Sequence, residues 1–241
     1  MRVLLKLINS GELEIPYQYN HMVESAIYSS ISPVLANYLH AYGFIFGNRS
    51  FKLFTFSRLL GSYRQTSSGL IFRGDISLLI SSPISRFIVE LANGLLKKGA
   101  ISIGNRKLTL KSIYFPKRPE IGVKHRAYTL SPITVYSTLY GPDGSKKTYY
   151  YSPYEKEFSE LISSNAKKKL SVFNKRKIMH DIQLRPIRMK EVIVIYKGTV
   201  VKGWQGYFEL EGPKSLIDIT YDAGLGSKNS EGFGMYEIAG K

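Results

Sequence analysis

Tyr28, His40 and Lys52 are side chains whose types could together cut a phosphodiester without a metal ion. An imidazole exchanges protons near neutral pH. A phenol, with an unperturbed pKa of about 10, is a better acid than base, and an ammonium stabilises charge building on phosphorane oxygens. RNA asks for little more, because its own 2′-hydroxyl can serve as the nucleophile. Metal-assisted cleavage would need clustered carboxylates. The acids of the first 120 positions are Glu12, Glu14, Glu24, Asp75, Glu90 and Glu120, and they are scattered. No metal and no other cofactor is therefore expected.

Spacing must still bring the three together. His40 follows Tyr28 by twelve residues, and on one helix the two would point about 120° apart. Ser32-Pro33 removes the objection. It reads as an N-cap followed by a first-turn proline, so two helices, 20–31 and 33–42, can turn one side chain each to a common cleft. Lys52 opens the next strand. Singly, each has a commoner role: a helical tyrosine in the core, a lone histidine in the scaffold, a strand lysine in water. Spacing alone leaves both readings open.

The elements that must hold these residues follow from periodicity. Residues 2–8, 51–60, 70–73, 75–81, 100–103 and 107–115 read as strands, with Arg73-Gly74-Asp75 as a tight turn. A further helix starts at Ser82-Pro83. The order strand, helix, strand, strand, helix, strand is the ferredoxin-like unit. Beyond a junction at 116–122, strands at 126–130 and 133–140 precede Ser152-Pro153-Tyr154-Glu155, which has the form of a capping box. A hairpin, 191–196 with 199–210, a helix at 213–222 and a last strand at 233–238 complete a second such unit. The expected fold is α+β, two tandem ferredoxin-like (RRM-like) domains. Residues 1–121 carry the candidate catalytic side chains and residues 122–241 a glycine-rich loop.

That loop, Gly224-Leu-Gly-Ser-Lys-Asn-Ser-Glu-Gly-Phe-Gly234, can turn backbone N–H groups towards phosphate oxygens or simply need φ > 0 for its own turns. It is not GxGxxG, because Asn229 stands where the third glycine belongs, and GxxxxGK[ST] is absent. The phosphates it could hold are those of a polynucleotide. Composition agrees: 34 Lys+Arg against 18 Asp+Glu give a net charge of +16, and such an excess favours nucleic acid. Lys117, Arg118, Lys124 and Arg126 bracket the junction, where a groove between two sheets would run. Lys146, Lys147, Lys167, Lys168, Lys169, Lys175, Arg176, Lys177, Arg185, Arg188 and Lys190 enrich the second half, about half of them expected to be ordinary solvated charge. Tyr149, Tyr150 and Tyr151 could stack on bases, though three neighbours in a strand cannot share one face. There is no cysteine, no apolar run of the ~20 residues a membrane span needs, and no signal-like start. The expectation is a cytoplasmic protein with no membrane partner.

At this point the sequence resembles a known family. Ala-Ile-Tyr-Ser-Ser around Tyr28, Asn-Tyr-Leu-His-Ala around His40 and Phe-Lys-Leu-Phe-Thr-Phe-Ser around Lys52 look like the CRISPR-associated endoribonuclease that processes precursor CRISPR RNA, of the repeat-associated mysterious protein superfamily. The likeness continues through Phe87-Ile-Val-Glu-Leu-Ala-Asn-Gly-Leu-Leu96, Tyr128-Thr-Leu-Ser-Pro-Ile-Thr-Val135, Ser152-Pro-Tyr-Glu-Lys-Glu-Phe158 and the glycine loop. It is weakest at 165–190. The resemblance implies metal-independent cleavage of CRISPR repeat RNA, leaving a 2′,3′-cyclic phosphate and a 5′-hydroxyl and yielding mature guide RNAs. It assigns catalysis to Tyr28, His40 and Lys52 and RNA contact to the loop, through Gly224, Gly226, Lys228, Asn229, Gly232, Phe233 and Gly234. Other CRISPR effector subunits are further partners it allows, and exposed apolar faces on the first helices would permit a homodimer. The rival reading is a non-catalytic RNA-binding subunit of a CRISPR ribonucleoprotein.

Overall fold

The structure, a computed structural model, describes residues 1–9, 11–173 and 178–240. Lys175, Arg176 and Lys177 lie outside the described residues. The fold is α+β. Its first half runs β1 (Arg2–Ile8), β2 (Glu12–Pro16), α1 (Asn20–Tyr28), α2 (Pro33–Ala41), β3 (Phe44–Phe46), β4 (Arg49–Phe51), β5 (Thr55–Phe56), β6 (Leu60–Gln65), β7 (Gly69–Ser81), α3 (Ser85–Lys98), β8 (Ala100–Ile103) and β9 (Arg106–Tyr114). The second runs β10 (Lys124–Thr129), β11 (Tyr136–Tyr140), β12 (Lys146–Tyr150), α4 (Lys156–Ser171), β13 (Gln183–Tyr196), β14 (Thr199–Glu211), α5 (Lys214–Ala223), a 3₁₀ turn (Asn229–Glu231) and β15 (Tyr236–Ile238).

In the first sheet β1 lies between β7 and β9, antiparallel to both, with β8 beyond β9. Strand alternation puts Val3, Leu5 and Leu7 of β1 and Ile76, Leu78 and Ile80 of β7 on one buried face. Helices α1 and α3 add Val23, Ile27, Phe87, Ile88, Leu91 and Leu95 to the same core. In the second sheet the order is β13-β14-β10-β15, and α4 and α5 cover it with Phe158, Ile162, Leu216 and Ile217.

Several local expectations change. Arg73-Gly74-Asp75 is no turn. β7 runs through it unbroken, because its early residues pair with β2 and β6 and its later ones with β1. The strand expected at 51–60 is broken instead: Leu53 takes a left-handed φ of 53°, and its carbonyl accepts the Ser82 hydroxyl at 2.6 Å. At Ser152 the reciprocal contacts form, with the Ser152 N–H donating to the Glu155 carboxylate and the Tyr154 N–H to the Ser152 hydroxyl at 3.4 Å. They close a turn ahead of α4, however, and Glu155 stands at the N-cap position of the helix without a side-chain capping hydrogen bond.

The halves are stitched through buried polar contacts. The Arg2 guanidinium, almost wholly buried, donates to Glu237 at 2.9 Å and to the carbonyls of Tyr221 and Tyr236 at 2.8 Å. It also lies 3.4 Å over the Tyr221 ring. A small apolar cluster of Leu53, Ile219 and Ala223 adds contacts from both sides.

Candidate active site and nucleic-acid interface

The Ser32-Pro33 break sets the site. Ser32 caps α2 by accepting the Leu35 N–H at 3.3 Å, and its own N–H and hydroxyl donate to Glu90 on α3 at 3.2 and 2.6 Å. Gly94 allows α3 to come this close, since a Cβ there would sit 2.0 Å from the Ser30 carbonyl oxygen. The elbow between α1 and α2 is thus fixed on α3.

Tyr28 at the end of α1 and His40 in the last turn of α2 consequently face each other edge-on, ring centroids 6.2 Å apart. The Lys52 ammonium, just past β4, donates to the His40 carbonyl at 3.0 Å. Phe54 packs against the Tyr28 ring at 5.7 Å and stacks on Phe87 at 4.9 Å, which gives the phenol an apolar wall. The His40 side chain is exposed and Tyr28 half-buried. The structure therefore gathers all three.

One member was missed. Glu24, one turn before Tyr28 on α1, accepts a hydrogen bond from the Tyr196 hydroxyl at the end of β13, and the Lys197 ammonium lies 3.9 Å away. The tip of a hairpin from the second half thus touches the helix that carries Tyr28. Burial pushes the Glu24 carboxyl up, against the pull of Tyr196 and Lys197. Burial, and then Glu24, raise the Tyr28 phenol well above its ordinary value. Lys52 is lowered by burial, and Glu24 opposes that. Nothing near Glu24 in sequence signals this, because the partner is 172 residues away.

A prediction follows from these signs. In Glu24→Gln, the Tyr196 hydrogen bond can persist while the charge is gone. Tyr28 and Lys52 should both lose their protons at lower pH, a change read by NMR titration of the two side chains. Titrations that stay in place would detach Glu24 from the electrostatics of this cluster.

The glycine loop is built for its own geometry. A Cβ on Gly234 would meet the Leu225 carbonyl at 2.0 Å, and Gly224, Gly232, Phe233 and Gly234 are all buried. Phe233 packs with Val194 and Val201, so its ring belongs to the core. Asn229 also faces inward: its amide N–H group donates to the carbonyls of Leu225 and Phe233 at 2.9 and 3.0 Å. Its oxygen accepts the Lys169 ammonium at 2.6 Å. The loop is pinned to the first half as well, by Thr55 to the Phe233 carbonyl at 2.9 Å and Asn20 to the Glu231 carbonyl at 2.8 Å.

The buried Gly226, with Ser227, Lys228, Asn229 and Ser230, lies along the wall of a cleft of about 700 Å³ that Lys52 also lines. Lys228 pairs with Glu231 at 2.9 Å and lies 5.8 Å over the Tyr136 ring. None of Lys117, Arg118, Lys124 and Arg126 lines this cleft. Arg118 is held by Asp218 and Asp222 at 2.9 and 2.8 Å, and Lys124 by Glu209 and Glu211 at 3.1 and 3.5 Å. Lys117 and Arg126 are exposed. Lys168 lines the cleft, Lys167 pairs with Asp181 at 2.8 Å, and Lys169 is buried. Of the tyrosine trio, Tyr149 is exposed, whereas Tyr150 and Tyr151 pack against the second core.

Comparison with known proteins agrees with the resemblance. Residues 14–114 match the family described as CRISPR-associated protein Cas6, N-terminal, and residues 116–238 match CRISPR associated protein Cas6, C-terminal. The chain is 33% identical to CRISPR-associated endoribonuclease Cas6 1 of Methanocaldococcus jannaschii, covering 98% of this chain and 91% of that protein. It is 28% identical to CRISPR-associated endoribonuclease Cas6 of Pyrococcus furiosus, over 100% of this chain and 90% of that one. A solved structure described as CRISPR associated protein Cas6 superposes with a TM-score of 0.84 at 29% identity, covering 100% of this chain and 99% of the other. Another, described as an RAMP protein binding different RNA substrates, gives 0.86 at 23% identity over 100% of both chains, a likeness of fold.

Proposed function

Because the chain belongs to the Cas6 family, we propose that it is the endoribonuclease that cuts CRISPR repeat RNA, by 2′-hydroxyl attack and without a metal ion. The observation that carries the reading is the convergence of Tyr28, His40 and Lys52. We read the two sheets as tandem ferredoxin-like domains, 1–121 and 122–241; in support, β1 lies between β7 and β9 as β10 lies between β14 and β15.

In the proposed reaction His40 takes the proton of the 2′-hydroxyl as its oxygen bonds to phosphorus. Tyr28 gives a proton to the 5′-oxygen as the P–O bond to it breaks. The products are a 2′,3′-cyclic phosphate and a 5′-hydroxyl. The phenol keeps its proton at neutral pH, as a general acid must, although the burial that raises its pKa makes it a weaker donor. Lys52 leaves the His40 carbonyl to meet the non-bridging oxygens, a donor worth about 3 kcal/mol in the transition state.

The test is a repeat RNA incubated with the protein in EDTA. One discrete cut with a cyclic phosphate end is expected. RNA that is bound but intact would favour the non-catalytic subunit, and equal action on a scrambled strand a general RNA chaperone.

A further inference from the structure

The cleft that begins at Lys52 has a polar floor that the cleavage chemistry does not use. Asn165 lies there on α4, and its side-chain oxygen is buried without a hydrogen-bond partner among the described residues. A buried acceptor of this kind costs stability unless something donates to it. Arg49 and Lys168 line the same cleft, as does Lys228, whereas Glu231 is its one acidic wall residue among the described residues and is already paired. Tyr136 and Tyr140 offer rings, the latter well exposed.

Resting on the cleavage reading above, we propose that this cleft seats the base of a nucleotide adjoining the scissile phosphate, with Asn165 accepting a hydrogen bond from the base edge. The two sites share Lys52, so a strand whose phosphate lies between Tyr28 and His40 passes directly into the cleft. Its volume of about 700 Å³ is within the range that accommodates a nucleoside-sized group. The wall cations suit the neighbouring phosphates and the tyrosines suit stacking. The floor selects between ligands. An amide oxygen only accepts, and a phosphate at neutral pH has no proton for it, whereas every nucleobase carries an N–H on its Watson–Crick edge.

The experiment uses full-length protein and repeat RNAs with a single abasic nucleotide on one or the other side of the cut. Wild type should lose well over tenfold in kcat/KM at one of the two positions, the combined cost of lost stacking and of one buried hydrogen bond left unmade. In Asn165→Leu, which removes the orphaned oxygen at similar volume, the penalty of the same abasic substitution should be about tenfold smaller, because only the stacking is then lost. A urea titration shows whether the variant is folded. Equal penalties in both proteins, or no sensitive position in wild type, would overturn the base seat while leaving the nuclease reading intact. Should wild type cut no repeat RNA at all, the nuclease reading falls instead, and the same two-by-two comparison is made on equilibrium binding of the RNAs.

Discussion

His40→Ala is expected to slow single-turnover cleavage of a repeat RNA by about 10²–10⁴-fold, the usual worth of a positioned proton-transfer group. Binding of the uncut RNA should change little. The ring is exposed at the end of α2, so its removal opens no cavity and breaks no buried contact. What binds RNA in this reading, the cations of the neighbouring cleft, is untouched. A second arm separates catalysis from damage. Tyr28→Phe keeps the ring against Phe54 and removes only the hydroxyl, so it too should cost rate without stability. Undiminished turnover in His40→Ala would take His40 out of the mechanism. Loss of rate and of binding together would place it in RNA holding instead.

The difference between what the sequence showed and what it hid is physical. Spacing allowed Tyr28 and His40 to share a cleft with Lys52 because the elbow between the two helices is local, and the family resemblance singled the three out. Ser32 and Pro33 announce a helix start whatever lies around them. The acid that raises Tyr28 and Lys52 was illegible: Glu24 has its partners on a hairpin tip of the other half, and a long-range contact leaves no local signature. The glycine loop was legible as a loop that needs φ > 0, yet its direction was not. Asn229, Phe233 and the buried glycines face inward because a cross-chain network of Thr55, Asn20 and Lys169 holds them there. Arg73-Gly74-Asp75 misled for a related reason. Pairing on both sides of β7 outweighs the local preference for a turn. The lysine run was the hardest. Charge alone makes 167, 168 and 169 equivalent, but helical phase does not, since Ile162, Ala166 and Lys169 fall at i, i+4 and i+7 on the buried face of α4.

Lys169 carries the largest expected effect on stability. Its ammonium, fully enclosed, donates to the carbonyls of Gly224 and Gly226 at 2.8 and 3.1 Å and to the Asn229 side-chain oxygen at 2.6 Å. Three acceptors match the three protons of the charged form. In Lys169→Met the alkyl stem is roughly preserved and all three oxygens lose their donor. Each buried oxygen left without a donor costs about 1–3 kcal/mol, offset in part by the desolvation of the ammonium that the variant no longer carries. The net loss should be read as a lower urea midpoint together with weakened RNA cleavage, because Lys228 and Ser230 stand on the loop that Lys169 anchors. Burial pulls the Lys169 pKa down to about 7, against about 10.4 in the unfolded chain. Between those values the unfolded chain binds the extra proton, so this side chain's contribution to stability rises with pH. It is least favourable below pH 7 and fully relieved near pH 10. The stability gap between wild type and Lys169→Met should accordingly widen from pH 7 upward. A gap that does not change with pH would mean that the three oxygens hold the proton against desolvation throughout. A variant as stable as wild type would show that the loop does not depend on the ammonium at all.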